Sequence, residues 1–306
     1  MEKRKKPKWT GVIVLLIVCS IVLLTITAVK FSPTPLDKNN KIAVIDIKGP
    51  ITLGSNGASS GLFSTDTIDS GAIISFVEIA NQDKGVKGII LNINSPGGTV
   101  VASKEIVDAV KKVDKPVVAL IREVGASGAY WIASAADVIV ADPLSITGSI
   151  GVAGGYLEFS DLISEYGVEY RSLKSGKYKD LGNQWIDLTP EGKNLLQKKL
   201  DIIHNYFIND VNKNRGKDLT KYATGLFYLG TEAKEIGLID ELGGKDEAIA
   251  KVKELAGLKE HQLVFFKTKK SIFDILGQLS TNMGYSVGQG LGSELVSNPE
   301  FEIKLE

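Results

Sequence analysis

The chain has 306 residues, 43% apolar and 24% charged, which allows one large domain or two small ones and argues against global disorder. Its 36 basic and 36 acidic groups balance, and no long basic stripe occurs, so a nucleic-acid partner is set aside. The single cysteine, Cys19, rules out an intrachain disulfide and a cysteine-built zinc site.

The charge is unevenly placed. Lys3, Arg4, Lys5, Lys6 and Lys8 crowd residues 1–10, and an uncharged apolar run follows over 11–29. At ~1.5 Å per residue that run matches the ~30 Å hydrocarbon core, and it is longer than the ~7–15 apolar residues of a cleavable signal peptide. It ends without a small-x-small cleavage pattern, so it reads as an uncleaved anchor. The basic residues precede it and only Lys30 directly follows. The positive-inside rule then keeps 1–10 in the cytoplasm and sends the rest outside. Residues 30–40, with Pro33 and Pro35, read as a linker into a domain spanning 41–260.

Within that domain, residues 41–51 (KIAVIDIKGPI) read as a first strand stopped at Gly49-Pro50. The small polar stretch 55–60 reads as a loop. Ser70 is the expected cap of a helix carrying Ile73, Phe76, Val77 and Ala80 on one face. A second strand at 86–93 ends in Ser95-Pro96-Gly97-Gly98, and a helix follows over 99–112. A third strand at 116–121 leads to a tight turn at Gly125-Ala126-Ser127-Gly128, a helix at 129–136 and a short strand at 138–141. Strands alternating with helices predict an α/β fold with a mainly parallel sheet. Strand runs that are apolar throughout predict a sheet covered on both faces.

Thr189-Pro190 opens a long helix, with threonine as cap and proline in the first turn. Leu196, Leu200, Ile203, Phe207 and Val211 mark its expected buried stripe. Shorter helices are expected at 231–236 and 246–256. Beyond 260 the C-terminal tail, 261–306, offers a strand at 263–266, an amphipathic helix at 272–279 and a Gly/Ser-rich end; the tail is expected to be partly ordered.

Ser127 follows a strand, sits between Gly125 and Gly128, and precedes a helix. Glycines permit a strained turn that lifts a hydroxyl clear of the backbone. Either a nucleophile or a plain helix-capping serine fits that setting, and Ala129 stands where a G-x-S-x-G elbow would have glycine. Gly97-Gly98, at the carboxyl end of a strand, lies where parallel sheets build sites, or is an ordinary turn after Pro96. His204 and His261, the chain's two histidines, lie in a helix and in a charged stretch, so a Ser-His-Asp triad is not indicated. A lysine can replace histidine as base where burial lowers its proton affinity. The turn-rich segment 175–180, with Lys177 and Lys179, is the best candidate. No phosphate-binding loop, metal-binding motif or cofactor signature occurs.

Together these residues resemble signal peptide peptidase A, a Ser/Lys peptidase family of the crotonase/Clp-like superfamily. The matching stretches are Asn94-Ser95-Pro96-Gly97-Gly98, Gly125-Ala126-Ser127-Gly128-Ala129-Tyr130-Trp131, Thr147-Gly148-Ser149-Ile150-Gly151, residues 175–180, and Gly237-Leu238-Ile239-Asp240-Glu241-Leu242-Gly243-Gly244. The resemblance runs from about residue 41 to about 258, and the anchor is typical of the family. It implies a βαβ spiral, with Ser127 as nucleophile and Lys179 rather than Lys177 as general base. Gly98 and Gly128 would supply oxyanion amides, and Ser149 would orient Lys179. It also implies substrates that include signal-peptide remnants and other apolar peptides, and rings in which neighbouring subunits complete the dyad. A stomatin-partner type of membrane Ser/Lys protease is the nearest alternative, although such proteins usually carry additional spans. A crotonase-fold acyl-CoA enzyme, or an inactive membrane scaffold, are readings from other classes.

Overall fold

A computed structural model describes residues 39–54 and 67–266. The apolar run at 11–29, the loop at 55–60 and the helix expected at 272–279 lie outside the described residues. Among the described residues no helix is long and apolar enough to cross a membrane.

The first strand divides in two. Strand β1 (Lys41–Lys48) ends before Gly49, whose φ of 93° turns the chain, and Ile51–Thr52 forms a separate β2 beside β3 (Ile68–Asp69). Helix α1 (Ser70–Gln82) follows directly. Its cap is Asp69 and not Ser70: the Asp69 carboxylate accepts from Gly71 N at 3.1 Å. Ile73, Val77 and Ala80 are its buried face.

Next come β4 (Val86–Ser95), α2 (Val100–Val110), β5 (Val117–Ala126), α3 (Gly128–Ser134), β6 (Val138–Ala141) and β7 (Ile146–Gly148). Strand β5 runs further than the sequence suggests. It absorbs Gly125 and Ala126, so the turn begins only at Ser127. After α4 (Ser160–Glu165) and α5 (Pro190–Arg215) come β8 (Phe227–Leu229), α6 (Gly230–Glu235), β9 (Glu241–Leu242), α7 (Lys245–Ala256) and β10 (Gln262–Phe266).

The main sheet has the order β10-β1-β4-β5-β6-β9, all parallel, with β7 continuing alongside β5 and β8 antiparallel to β7. Because β10 pairs with β1, this sheet extends past residue 260. Alternation along the strands explains why they are apolar throughout. Ile45, Leu91, Ala119 and Ile121 face α1, α2 and α3, while Val44, Ile90, Val118 and Leu120 face Ala248 and Val252 of α7.

Helix α5 is anchored at one end only. Its start follows the expected signals, with Thr189 Oγ1 accepting from Gly192 N and Pro190 in the first turn, and Gly216 closes it at φ 61°. Phe207 and Val211 are buried, but Leu196, Leu200 and Ile203 are only half-buried, so the expected stripe is realised over the second half of the helix. There Trp131 of α3 stacks on Phe207 with ring centroids 4.6 Å apart. Asp210 accepts from Trp131 Nε1 at 2.8 Å and from Lys111 Nζ at 2.7 Å. At the helix end, Arg215 forks onto both oxygens of Asp240 at 2.9 and 2.6 Å, and Asp240 also accepts from Ile139 N. Burial pushes the Asp210 and Asp240 carboxyls up. The hydrogen bonds from Lys111 and Trp131, and from Arg215, outweigh it and leave both below their ordinary range.

Candidate active site

The site starts from a backbone that only small residues allow. Ser127 stands at φ 55° and ψ −125°, a strained conformation for a residue with a side chain. It is held there from both sides. Its amide donates to Gly148 O at 2.9 Å, and its carbonyl accepts from Trp131 N at 3.0 Å. The hydroxyl is half-buried and has no hydrogen-bond partner among the described residues. Capping therefore does not account for Ser127, because its side chain makes no cap bond to α3.

Gly97 and Gly98 pack against this turn backbone to backbone. A Cβ on Gly97, which adopts φ 101°, would lie 2.8 Å from Gly128 N and 2.9 Å from Ser127 Cβ. A Cβ on Gly98 would lie 1.9 Å from Ile51 O, and one on Gly128 would lie 2.2 Å from Ser103 Oγ and 3.4 Å from Gly98 N. No side chain fits at these places. Among the described residues the amides of Gly98 and Gly128 have no acceptor. Two free N–H groups on contacting segments beside an unpartnered serine hydroxyl form the donor set that an oxyanion requires.

Residues that sequence reasoning passed over hold Gly98 in place. Ile51 N donates to Gly97 O and Thr99 N donates to Ile51 O, both at 2.9 Å, so β2 brackets Gly98. The fully buried Ser95 accepts from Gly97 N at 3.1 Å. Thr147, also fully buried, donates to Gly125 O at 2.8 Å. The one sequence signal for the β2 bracket was the Gly49-Pro50 break, which separates Ile51 from β1.

Ser149 lies next to Gly148 and so beside Ser127. Its own φ is 49°, its amide donates to Leu226 O, and its hydroxyl donates to Gly225 O at 3.2 Å. The structure thus brings together Ser127, Gly98, Gly128 and Ser149. Lys179 does not join them by any hydrogen bond within this chain. It lies exposed in a turn where its amide donates to Gly176 O, and among the described residues its ammonium has no partner. Lys177 is committed elsewhere. Its ammonium donates to both oxygens of Glu191 at 2.8 and 3.0 Å, Tyr178 OH donates to the same carboxylate, and these bonds push Lys177 up and Glu191 down. A lysine held in its charged form by a carboxylate is a poor base, which counts against Lys177. His204 Nε2 donates to Ile150 O, 3.1 Å away, and His261 is exposed.

A mainly parallel α/β sheet of the Clp protease kind, with a serine raised on a strained turn beside free backbone amides, defines a serine peptidase. Residues 109–259 match the model of peptidase family S49, and residues 63–140 match that of Clp protease. A protein of Methanocaldococcus jannaschii named as a protease is 33% identical over 80% of both chains. The chain belongs to peptidase family S49. "Protease 4" of Salmonella typhi is 34% identical over 79% of this chain, which spans only 39% of that relative. A protein of Enterococcus faecium named for signal peptide peptidase SppA is 30% identical over 83% of this chain and 73% of its own. A solved membrane-bound stomatin-specific protease covers 80% of this chain and 99% of its own at 18% identity with a TM-score of 0.48, and the assignment does not rest on it.

Proposed function

We propose that this serine peptidase is anchored in the cell membrane by residues 11–29 and cuts signal-peptide remnants and other apolar peptides on the outer side. Its dyad is Ser127 and Lys179, joined between neighbouring subunits of a homo-oligomeric ring, and the fold is the βαβ spiral of the crotonase/Clp-like group. The reading is supported by the E. faecium relative's name and by the apolar run at 11–29. No cofactor or metal enters the chemistry.

The observation that carries the shared dyad is a site complete on one side and empty on the other. Ser127 is fixed beside its oxyanion amides, and among the described residues no basic group bonds to its hydroxyl. A lysine accepts a proton at neutral pH only where its surroundings are dry, and Lys179 is exposed here. The segment that bears it is exposed and apolar: Leu173 is 100% exposed, Tyr166 77%, Leu157 70%. An exposed apolar surface of this kind suits an interface. A neighbouring subunit seated there supplies both the dry cover and the serine.

In the assembled site Lys179 takes the Ser127 proton as the hydroxyl attacks the scissile carbonyl. Gly98 N and Gly128 N donate to the oxyanion, and Ser149 turns its hydroxyl to hold the lysine. The proton passes to the leaving amine, an acyl-enzyme remains on Ser127, and water releases it by the reverse path. The test is cleavage of a fluorogenic apolar peptide by the full chain in detergent. Ser127→Ala and Lys179→Ala are each expected to lower kcat by ~10³-fold or more, with Lys177→Ala within ~5-fold of wild type. Wild-type turnover by Ser127→Ala would overturn the reading.

A further inference from the structure

The nucleophile's position depends on an irregularity in the sheet. Strands β4 and β5 pair in step from Ile89↔Val117 to Ile93↔Ile121, and the next pair is Ser95↔Gly125. One residue of β4, Asn94, therefore spans the same interval as Arg122, Glu123 and Val124 of β5. This bulge lets β5 leave β6 and run beside β7, where Gly125 pairs with Thr147 and Ala126 with Gly148. Gly125 is required inside the fold-back, because a Cβ there would lie 2.8 Å from Ile121 Cγ2. Ser127 is the residue the bulge delivers.

A bulge strips amides of their ladder partners. Val124 N is one of them, and it donates to the Asn94 side-chain oxygen at 3.0 Å. The orientation of that side-chain amide follows from the chemistry, since a backbone N–H can meet only an acceptor. The Asn94 carbonyl meanwhile accepts from Gly49 N at 3.0 Å, which fixes the residue itself. On the far flank the buried Ser145 hydroxyl donates to Arg122 O. Asn94 is thus the side-chain tie between the two halves of the site. Three residues after Asn94, just past the end of β4, comes Gly97, which packs on Ser127; three residues after Val124 comes Ser127 itself.

We propose that Asn94 is a positioning residue that sets the distance between the Gly98 oxyanion amide and Ser127 by substituting for the missing ladder acceptor. The proposal rests on Ser127 being the nucleophile. Loss of the acceptor leaves the Val124 amide unpaired and frees Gly125-Ala126-Ser127 to shift against Gly97-Gly98. Peptide contacts away from Ser127 are untouched, so the defect lies in the chemical step. Asn94→Asp keeps an oxygen in place and accepts the same bond.

The experiment compares wild type with Asn94→Ala, Asn94→Asp, Asn94→Ser and Ser127→Ala in the full-length assembled protein. It measures kcat and KM on a fluorogenic apolar peptide, the rate of Ser127 labelling by a fluorophosphonate, and the melting midpoint. Asn94→Ala is expected to lower kcat and the labelling rate together by ~10–100-fold with KM within ~3-fold, as a displacement of order 1 Å would. Asn94→Asp is expected to recover most of both. Asn94→Ser, too short to reach Val124 N, gives the same contrast with Asp if the alanine variant does not fold. Wild-type kcat in Asn94→Ala or Asn94→Ser overturns the proposal, as does an Asp variant no better than either. Failure of the underlying reading is separate: it appears as turnover in Ser127→Ala.

Discussion

The surroundings of Ser127 and of Lys179, the two members of the proposed dyad, are built on opposite principles. Around Ser127 the backbone is tied down on every side, and only the Gly98 and Gly128 amides are left open among the described residues. Gly148, Ile51, Ser95 and Thr147 each hold one piece, and α3 behind the serine is buried along its whole length. The segment 151–188 around Lys179 holds one short helix, α4, with no buried residue, and it leaves Tyr166 and Leu173 exposed. Lys177 and Tyr178 within it bond to Glu191 in the first turn of α5. A nucleophile must be preorganised against its oxyanion donors, and rigid strands supply that. A lysine base needs a dry surrounding, which the described residues do not give Lys179. The difference teaches that one side of the proposed site is finished by folding, whereas the proposed dyad requires a neighbouring subunit to finish the other.

The sharpest way to break this comparison is to crowd the finished side. Gly98→Ala sets a methyl against the Ile51 carbonyl and is expected to cost ~10²-fold or more in kcat, with peptide hydrolysis as the measure. Next in size is the anchor of α5. Arg215→Ala leaves the partly buried Asp240 carboxylate without its fork and is expected to cost ~3 kcal/mol in denaturant unfolding. The same ion pairs set the acid limb. Asp210 and Asp240 have folded-state pKa values below the ordinary ~3.9, so their stabilisation is present above about pH 4 and fades as pH falls through the lower folded values. Acid unfolding followed by circular dichroism should shift to higher pH in Asp240→Asn. The smallest effect belongs to the unfinished side. Glu191→Gln removes an exposed pair with Lys177 and is expected to leave the unfolding midpoint close to that of wild type while lowering kcat a few-fold, through a looser Lys179 segment. A stability loss as large as that of Arg215→Ala would erase the contrast between the two regions.

Most of the fold was legible because its signals are local. The apolar runs of β1, β4 and β5, the Thr189-Pro190 start of α5 and the turn glycines act within a few residues. What stayed hidden depends on distant partners. The capping of α1 by Asp69, with Ser70 buried as the first helical residue, turned on one backbone angle. The half-exposed Leu196, Leu200 and Ile203 share a stripe with Phe207, and the stripe does not say where the body of the protein ends. The same holds in the site. Ser127, Gly98 and Gly128 stand in motifs, whereas Ile51 and Thr147 act through bonds that carry no sequence pattern. The role of Asn94 needed the register of β4 against β5. Periodicity alone left Lys177 and Lys179 open, and only the Glu191 contacts commit Lys177.

The shared dyad is tested most directly by mixing two dead proteins. Ser127→Ala and Lys179→Ala subunits, purified separately, dissociated and reassembled together, form rings in which some neighbours pair an intact Ser127 with an intact Lys179. The account predicts that apolar-peptide cleavage returns on mixing to roughly a quarter of the wild-type rate, the share of such pairs in a random ring. No recovery in rings shown by light scattering to be mixed would place both groups within one subunit and contradict it.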